Sequence, residues 1–179
     1  MTAKKQDAAE MLIRRLKESD IDALAAIHTE SFGPPDAGHF GDVWQAREIS
    51  GLLRSLGGFG VVASVPGEGV GTEICLGFIL CCKAGDECEV LTLCVDPSYR
   101  RRGVARRMIE DACAGAYVMG AGRMVLEVAE KNLAACALYD EIGFERVGRR
   151  KNYYKGRAEG ALEGQECGDA LILQCLLKA

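Results

Sequence analysis

An apolar strand that leads directly into an arginine-rich helix start is the feature that most constrains this chain. Within Val90–Ala112 the apolar run stops at Val95, and an amphipathic helix pattern begins near Gly103. The first turn of a helix exposes backbone N–H groups without an internal partner, and the helix dipole favours an anion there. Ala105 keeps this turn free of bulk, and nearby positive charge comes from Arg102, Arg106 and Arg107. The stretch predicts a phosphate-binding loop; the alternative is a plain helix start with solvated arginines.

The order of elements along the chain is typical of a mixed sheet covered by helices. We expect one α/β domain at residues 11–179 after a flexible polar lead at residues 1–10. Loops rich in glycine are predicted at Gly33–Asp42 and Gly156–Gly168. The predicted strands are Met11–Arg15, Phe59–Ser64, Ile74–Lys83, Glu87–Val95, Met124–Ala129, Arg146–Tyr154 and Ala170–Leu177. The predicted helices, the first capped by Asp20, are Ile21–Ser31, Val43–Leu56, Gly103–Met119 and Leu133–Ile142.

Composition argues against several other kinds of protein. The formal net charge of −4 does not indicate general affinity for nucleic acid. Nine cysteines and two histidines occur without a CxxC pair, so no metal site is predicted. Most cysteines lie in apolar runs and are interpreted as small buried side chains, with catalytic or redox use as the alternative. No apolar run approaches the roughly 20 residues of a membrane span and no secretory signal is recognised, so we expect a cytoplasmic protein.

Two motifs resemble one family of acyl-transferring enzymes. The run R-x-x-G-x-A at Arg100–Ala105 follows a V-x-P strand end and is similar to the acetyl-coenzyme A (acetyl-CoA) motif of the GNAT superfamily. The segment Leu126–Tyr154 resembles RimI-type ribosomal-protein alanine N-acetyltransferases, and the full resemblance runs from Glu89 to about Lys155. It implies acetyl-CoA as co-substrate and the GNAT fold, a mixed sheet of about six to seven strands with helices on both faces. It also implies a V-shaped splay between two central parallel strands, Val90–Val95 and Met124–Ala129.

Glu127 is the candidate general base. Acetyl transfer from a thioester to an amine requires removal of an amine proton, stabilisation of an oxyanion and protonation of the departing thiolate. Glu127 lies within an apolar strand, where a carboxylate is costly unless it faces a cleft or a partner; the alternative is a residue that faces solvent. The resemblance implies that it acts as the base, directly or through a water. An α-amine, with a pKa near 7.7–8.0, is easier to deprotonate than lysine by roughly 3–4 kcal/mol.

Tyr139 is the candidate general acid. It lies two helical turns after Asn132, so the two residues share a face, with Cys136 between them. The pattern N-x-x-A-x-x-L-Y-x-x-x-G-F matches the family, which implies that Tyr139 protonates the sulfur and Asn132 contacts the cofactor. The alternatives are a packed aromatic and a helix cap. The cofactor-binding residues implied by the resemblance are Leu93, Cys94, Val95, Arg100, Arg101, Arg102, Gly103, Val104, Ala105, Arg106, Arg107, Asn132, Cys136 and Tyr139.

The same resemblance places an oxyanion site at the backbone N–H groups near Cys94 and Val95. A rival hypothesis makes Cys94 an acetylated nucleophile, although no histidine is its neighbour in the sequence.

The acceptor side is predicted from the last basic strand. Arg149–Tyr154 resembles the R-x-N-Y-Y segment of RimI-type enzymes, and strand alternation sends the two tyrosines to opposite faces. One tyrosine could wall a peptide slot, and Arg149 and Arg150 could meet acidic peptide or ribosomal surfaces. The alternative is an exposed basic strand. The candidate substrate-binding residues are Glu89, Asn152, Tyr153 and Tyr154.

Taken with the resemblance, these features lead to one main functional hypothesis. The chain is predicted to transfer acetyl, within a ternary complex, to the N-terminal alanine of a small-subunit ribosomal protein. The alternatives are a lysine, polyamine or aminoglycoside acceptor, and a CoA-binding module without catalysis. The connection between Phe32 and Trp44 is longer than the family's F-P-W-S, which leaves the peptide preference open, and the sequence predicts no oligomeric state.

Overall fold

The computed structural model describes residues 11–32, 43–154 and 168–178. Their seven strands form one sheet in the order β1-β2-β3-β4-β5-β7-β6, and every neighbouring pair is antiparallel except β4–β5. Each predicted strand is present, with ends shifted by a few residues at most. The strands are β1 Leu12–Arg15, β2 Gly58–Pro66, β3 Glu73–Ala84, β4 Glu87–Val95, β5 Arg123–Ala129, β6 Glu145–Tyr154 and β7 Gly168–Leu176.

Four α-helices in the described residues cover the sheet. They are α1 Ile21–Phe32, α2 Ala46–Arg54, α3 Val104–Val118 and α4 Leu133–Ile142. The predicted helix at Val43–Leu56 starts later than expected, because Gln45 and Glu48 form a capping box at its first turn. None of the described helices is long and apolar enough to cross a membrane.

Asp20 has a different role from the predicted cap of α1. Its carboxylate accepts hydrogen bonds from the Arg14 guanidinium at 2.8 Å and from the backbone N–H of Lys17 at 2.8 Å. It therefore fastens the short turn before α1 to β1. The predicted lead at residues 1–10 and the loops at residues 33–42 and 156–167 lie outside the described residues.

The two faces of the sheet carry separate cores. On one face α1 and α2 bury Leu24 and Ile49 against Phe78 of β3. On the other face α3 packs Met108 against Ile79 of the same strand. Burying a large apolar side chain contributes about 1.5–3 kcal/mol, so β3 is stabilised from both sides, as its near-continuous apolar sequence predicts. Helices on both faces were predicted, and this architecture is confirmed.

Cysteines contribute to these cores as small apolar side chains. Cys81, Cys88 and Cys94 are buried, and the other described cysteines are partly buried with free thiols. Burial raises the pKa of the Cys113 thiol to about 12, so it stays protonated near neutral pH. The predicted burial is confirmed for Cys81, Cys88 and Cys94, and four partly buried cysteines pack against the cores: Cys75, Cys113, Cys136 and Cys175. Cys82 belongs to neither core, and Cys167 lies outside the described residues.

A β-bulge in β4 changes which face its side chains meet. Thr92 lies opposite Leu80 of β3 and Val90 lies opposite Cys81, so Leu91 is one extra residue. Before the bulge Val90 belongs to the α3 core, and after it Cys94 belongs to the α1–α2 core. Residues of even number therefore face opposite sides before and after the bulge.

The sheet opens between β4 and β5. The two strands pair only at Glu87–Val90 with Arg123–Leu126, although β4 continues to Val95 and β5 to Ala129. Over the same length β5 stays paired with β7. The carboxyl ends of the two central parallel strands therefore diverge, which confirms the predicted V-shaped splay.

Candidate active site

The first turn of α3 presents backbone donors beside the end of β4. Gly103 precedes the helix with φ +78°, a left-handed conformation that glycine adopts without the Cβ cost. The first helical hydrogen bond runs from the Arg107 N–H to the Gly103 carbonyl, at 3.1 Å. The N–H groups of Val104, Ala105 and Arg106 therefore have no acceptor within the helix and are available to an anion.

The loop arginines fall into two groups. Arg100 donates from Nε to the Val95 carbonyl at 3.2 Å, and Arg102 donates to the Ser98 carbonyl at 3.1 Å. Arg106 forms an ion pair with Glu141 of α4. These three hold the loop and join the two helices. Among the described residues Arg101 and Arg107 are exposed and have no ion-pair partner, so their charges are available to a ligand.

The free edge of β4 turns backbone donors toward the splay. The Asp96 N–H donates to the Leu76 carbonyl of β3 at 2.9 Å. Because hydrogen-bonding direction alternates along an antiparallel pair, the Cys94 N–H also points to β3, whereas the N–H groups of Leu93 and Val95 point toward β5. Of the two predicted positions, the Val95 N–H therefore faces the splay and the Cys94 N–H does not, while the Leu93 N–H also faces it; an oxyanion role for these groups stays a prediction.

Glu127 lies on the face of the sheet that carries α1 and α2. Its neighbours Leu126 and Val128 are buried in the opposite core, so alternation places Glu127 on this side. Its carboxylate Oε1 lies 2.9 Å from Nε of Arg150, and its side chain is 22 % exposed. The alternative of a simple solvent-facing glutamate does not hold, because the carboxylate is partly buried and paired.

Glu89 is a second carboxylate on this face. Partial burial, and then the charges of Glu127 and Glu87, raise the pKa of its carboxyl group above the ordinary value. Glu87 is paired with Arg123 at 3.1 Å, and Glu127 with Arg150. Among the described residues Glu89 has no hydrogen-bond or ion-pair partner, so its charge is left for a ligand. We call Glu87, Glu89, Glu127, Arg123 and Arg150 the carboxylate cluster.

Tyr139 approaches the splay from the opposite face. Its side chain is buried, and its ring meets Phe144 edge-on with centroids 5.5 Å apart. It belongs to the α3 core together with Leu126 and Val128 of β5. The structure therefore shows the packing contact that the alternative interpretation expected. It also places Tyr139 and Glu127 on opposite sides of the sheet at the opening between β4 and β5.

Asn132 caps α4, as one of its two predicted roles required. Its side-chain oxygen accepts a hydrogen bond from the Ala135 N–H at 3.2 Å. Cys136 lies one turn further and directs its thiol at the Ala129 carbonyl of β5, at 3.8 Å. Burial raises the pKa of the Cys136 thiol. Both side chains lie beside the carboxyl end of β5, and their contact with a cofactor remains a prediction.

The end of β6 differs from the regular strand that was predicted. Asn152 has φ +54°, and its N–H donates to the Asp169 carboxylate at 2.9 Å. The register with β7 breaks here, so simple alternation does not apply to the two tyrosines. Tyr153 is half-exposed, and the Arg150 guanidinium lies 5.4 Å from its ring centre. Tyr154 is the last described residue of β6, and its side chain lies outside the description.

The two arginines predicted to meet acidic partners contact their own chain instead. Arg149 forms ion pairs with Glu130, at 2.6 Å, and with Asp169. Arg150 pairs with Glu127. Sequence reasoning missed this last contact, because β7 follows β6 in the sequence yet lies between β5 and β6 in the sheet. No local pattern signals that insertion.

Cys94 is poorly suited to act as a nucleophile. Its thiol is buried in the α1–α2 core, and burial raises its pKa to about 12. The Thr92 hydroxyl lies 3.7 Å from the sulfur, and His28 contacts that hydroxyl in turn. His28 is itself neutral near pH 7, because burial lowers its pKa to about 4. A protonated thiol beside a neutral imidazole of such low basicity disfavours the covalent route.

The fold and the splayed sheet correspond to a known enzyme family. The profile described as "Acetyltransferase (GNAT) family" matches residues 21–144, and the chain belongs to this family. The chain is 45 % identical over 69 residues to "N-alpha-acetyltransferase RimI" of Mycobacterium tuberculosis, covering 38 % of this chain and 42 % of that protein. It is 35 % identical over 88 residues to the "[Ribosomal protein bS18]-alanine N-acetyltransferase" of Escherichia coli, covering 49 % and 55 %. The chain thus spans about half the length of these curated relatives or less.

Solved structures share the whole architecture. The crystal structure of the Escherichia coli S18-alanine N-acetyltransferase superposes with a TM-score of 0.75 at 22 % identity, covering 94 % of this chain and 95 % of the other. YncA of Salmonella typhimurium, a putative acetyltransferase solved with its cofactor acetyl-CoA, superposes with a TM-score of 0.74 at 17 % identity, covering 94 % and 95 %. At these identities the likeness establishes the fold.

Proposed function

We propose that the chain transfers acetyl from acetyl-CoA to the N-terminal α-amine of a protein, by direct transfer in a ternary complex. One observation carries the proposal: the sheet opens beyond Val90 of β4, with α3 on one face and Glu127 of the carboxylate cluster on the other. A ligand anchored at α3 can thereby reach an amine held by the cluster. The relatives named for acetylating the alanine of ribosomal protein bS18 support an N-terminal alanine as acceptor.

The residues around the splay fit acetyl-CoA. The unpaired N–H groups of Val104, Ala105 and Arg106 are suited to a pyrophosphate, and Arg101 and Arg107 supply charge. The open edge of β4 offers further backbone donors for an amide-containing arm, because no described strand pairs there beyond Val90. Bound here, acetyl-CoA would supply the activated acetyl group, and the backbone N–H groups of β4 would stabilise the oxyanion.

Glu127 acts as the general base in this proposal, directly or through a water. Arg150 holds one of its oxygens from across β7, which fixes the side chain on the face of the sheet that carries α1 and α2. Glu89 binds the incoming ammonium before its proton is lost, since Glu89 is the unpaired carboxylate of the cluster. Positioned proton transfer of this kind contributes typically about 10²–10⁴-fold to a rate.

Tyr139 acts as the general acid. Its position on the α3 face, opposite Glu127, suits protonation of the thiolate as it leaves. A proton acceptor on one side of the opening and a proton donor on the other keep the two transfers apart.

The charge of the carboxylate cluster favours an acceptor with one ammonium group. Two of its three carboxylates are already paired with arginines, so the cluster offers one free negative charge. An α-amine brings one positive charge, whereas a polyamine brings several. The lower pKa of an α-amine also makes deprotonation by a carboxylate easier by roughly 3–4 kcal/mol than for lysine.

The test is an acetyl-CoA assay with matched acceptors. A peptide that begins with the N-terminal residues of bS18 should be acetylated far faster than the same peptide with a blocked N-terminus and an internal lysine. Spermidine and an aminoglycoside serve as small-amine comparisons. A preference for lysine or a small amine would refute the α-amine proposal, and binding without turnover on any acceptor would refute catalysis.

A further inference from the structure

A buried histidine joins the acceptor side of the sheet to the bulge in β4. His28 of α1 is 1 % exposed, and its ring stacks between Phe32, with centroids 4.5 Å apart, and Trp44, at 5.5 Å. Both ring nitrogens are engaged. Nδ1 accepts a hydrogen bond from the Trp44 backbone N–H at 3.2 Å, and Nε2 lies 3.3 Å from the Thr92 hydroxyl.

These contacts define the direction of a hydrogen-bond chain. Because Nδ1 accepts from a backbone N–H, a neutral ring carries its proton on Nε2. Nε2–H therefore donates to the Thr92 oxygen, and the Thr92 hydroxyl proton is left to point at the Cys94 sulfur, 3.7 Å away. This series of hydrogen bonds runs from Trp44, just before α2, through His28 of α1 to two residues of β4.

Thr92 lies at the structural irregularity that shapes the oxyanion donors. Leu91 is the extra residue of the bulge, Thr92 follows it, and the next N–H, that of Leu93, points into the splay. The Leu93 N–H belongs to the peptide that begins at Thr92, and the contact between the Thr92 hydroxyl and His28 restrains that residue in addition to its pairing with β3.

We propose that His28 is a positioning residue for acetyl transfer: through Thr92 it sets the direction of the Leu93 N–H and ties it to the chain segment at Trp44. The inference rests on the proposed function. A phenylalanine would fill the same aromatic stack without the cost of burying an imidazole, which favours the polar contacts as the reason for a histidine here.

The test compares His28→Phe and Thr92→Val, which keep the size of the side chains and remove the hydrogen bonds. We expect kcat to fall about tenfold in each, a partial loss of one oxyanion donor, while the Kd of CoA changes less than about twofold. Thr92→Ser keeps the hydroxyl and should retain most of the wild-type kcat. Thr29→Val makes the same chemical change on the exposed side of α1 and should have no effect.

The double variant gives the decisive readout. If both residues act through the same series of hydrogen bonds, the double variant His28→Phe/Thr92→Val loses no more kcat than the more impaired single variant. The inference would be overturned if the loss of kcat in the double variant equals the product of the two single losses. It would also be overturned if kcat stays within twofold of the wild type in both single variants. Should the wild type bind acetyl-CoA without acetylating any peptide, the proposed function fails separately. His28 is then judged by amide hydrogen exchange of Leu93 with CoA bound, which should be faster in both single variants; unchanged exchange overturns the inference.

Discussion

The two halves of the candidate site are built in different ways. The α3 half is contiguous in sequence, from the end of β4 through Gly103 to the first turn of the helix. The half proposed to hold the acceptor is assembled from β4, β5 and β6, and its contact between Glu127 and Arg150 reaches across β7, which lies between β5 and β6. A contiguous backbone site depends on local conformation, whereas an assembled side-chain site depends on the packing of the whole sheet.

The largest effect on kcat is expected from Tyr139, the proposed general acid beside the splay. Tyr139→Phe should lower kcat by about 10²-fold or more with little change in the Kd of acetyl-CoA, because the proton is needed only as the sulfur leaves. Rapid-quench turnover and calorimetry measure the two quantities, and Tyr117→Phe, an exposed tyrosine on α3, is the control. Unchanged kcat would remove Tyr139 from the mechanism.

The sequence predicts the contiguous half of this site better than the half assembled from separate strands. The hypothesis of a phosphate loop at Gly103 and the arginines around it came from local pattern, whereas the base role of Glu127 came from an acid within an apolar strand together with the family resemblance. The bulge at Leu91 leaves no mark in the apolar run. Of the two donor positions predicted, the Val95 N–H faces the splay, whereas the Cys94 N–H faces β3 and that of Leu93 faces the splay instead. The contact between Arg150 and Glu127 and the chain from His28 to Thr92 join residues far apart in sequence, which periodicity does not pair.

The face of the sheet that carries α1 and α2 should be the more sensitive to acid. The pKa of His28 is about 4 in the folded protein against about 6.5 in the unfolded chain, so the unfolded state binds a proton first as the pH falls. His28 therefore costs stability below about pH 6.5, reaching about 2 kcal/mol at pH 5. Urea unfolding at pH 7 and pH 5 should show this loss in the wild type and a smaller loss in His28→Phe. An equal loss of unfolding free energy in the two proteins would contradict the assignment of the acid sensitivity to His28.

The affinity of the α3 half for CoA should depend on the backbone conformation at Gly103. Gly103→Val places a side chain in a left-handed conformation at the first turn, and we expect CoA to bind about tenfold or more weakly. Gly120→Val, at the other end of α3, has φ +85° and equally open surroundings, so it carries similar backbone strain away from the loop. Similar loss of thermal stability in both, with weaker binding only in the first, is the expected result. Normal affinity in Gly103→Val would refute the loop placement.

The smallest effect is expected from the neighbouring arginines of β6. The Arg150 charge lowers the pKa of Glu89, although burial and the other carboxylates outweigh it. Arg150→Gln should therefore raise that pKa and move the acid limb of kcat/KM to higher pH by a few tenths of a unit, on the order of 0.5 kcal/mol. Arg149→Gln, whose partners are Glu130 and Asp169, should leave the limb in place. An identical profile for both variants would exclude Arg150 from the cluster's electrostatics.

The most direct test of the central claim is calorimetry of the folded wild-type protein with acetyl-CoA and with acetyl-pantetheine, which lacks the pyrophosphate. If the first turn of α3 holds that pyrophosphate, acetyl-CoA binds measurably and acetyl-pantetheine binds at least about 100-fold more weakly, a difference of about 2.7 kcal/mol. Equal affinities for the two ligands, or no detectable association with acetyl-CoA, would contradict the account.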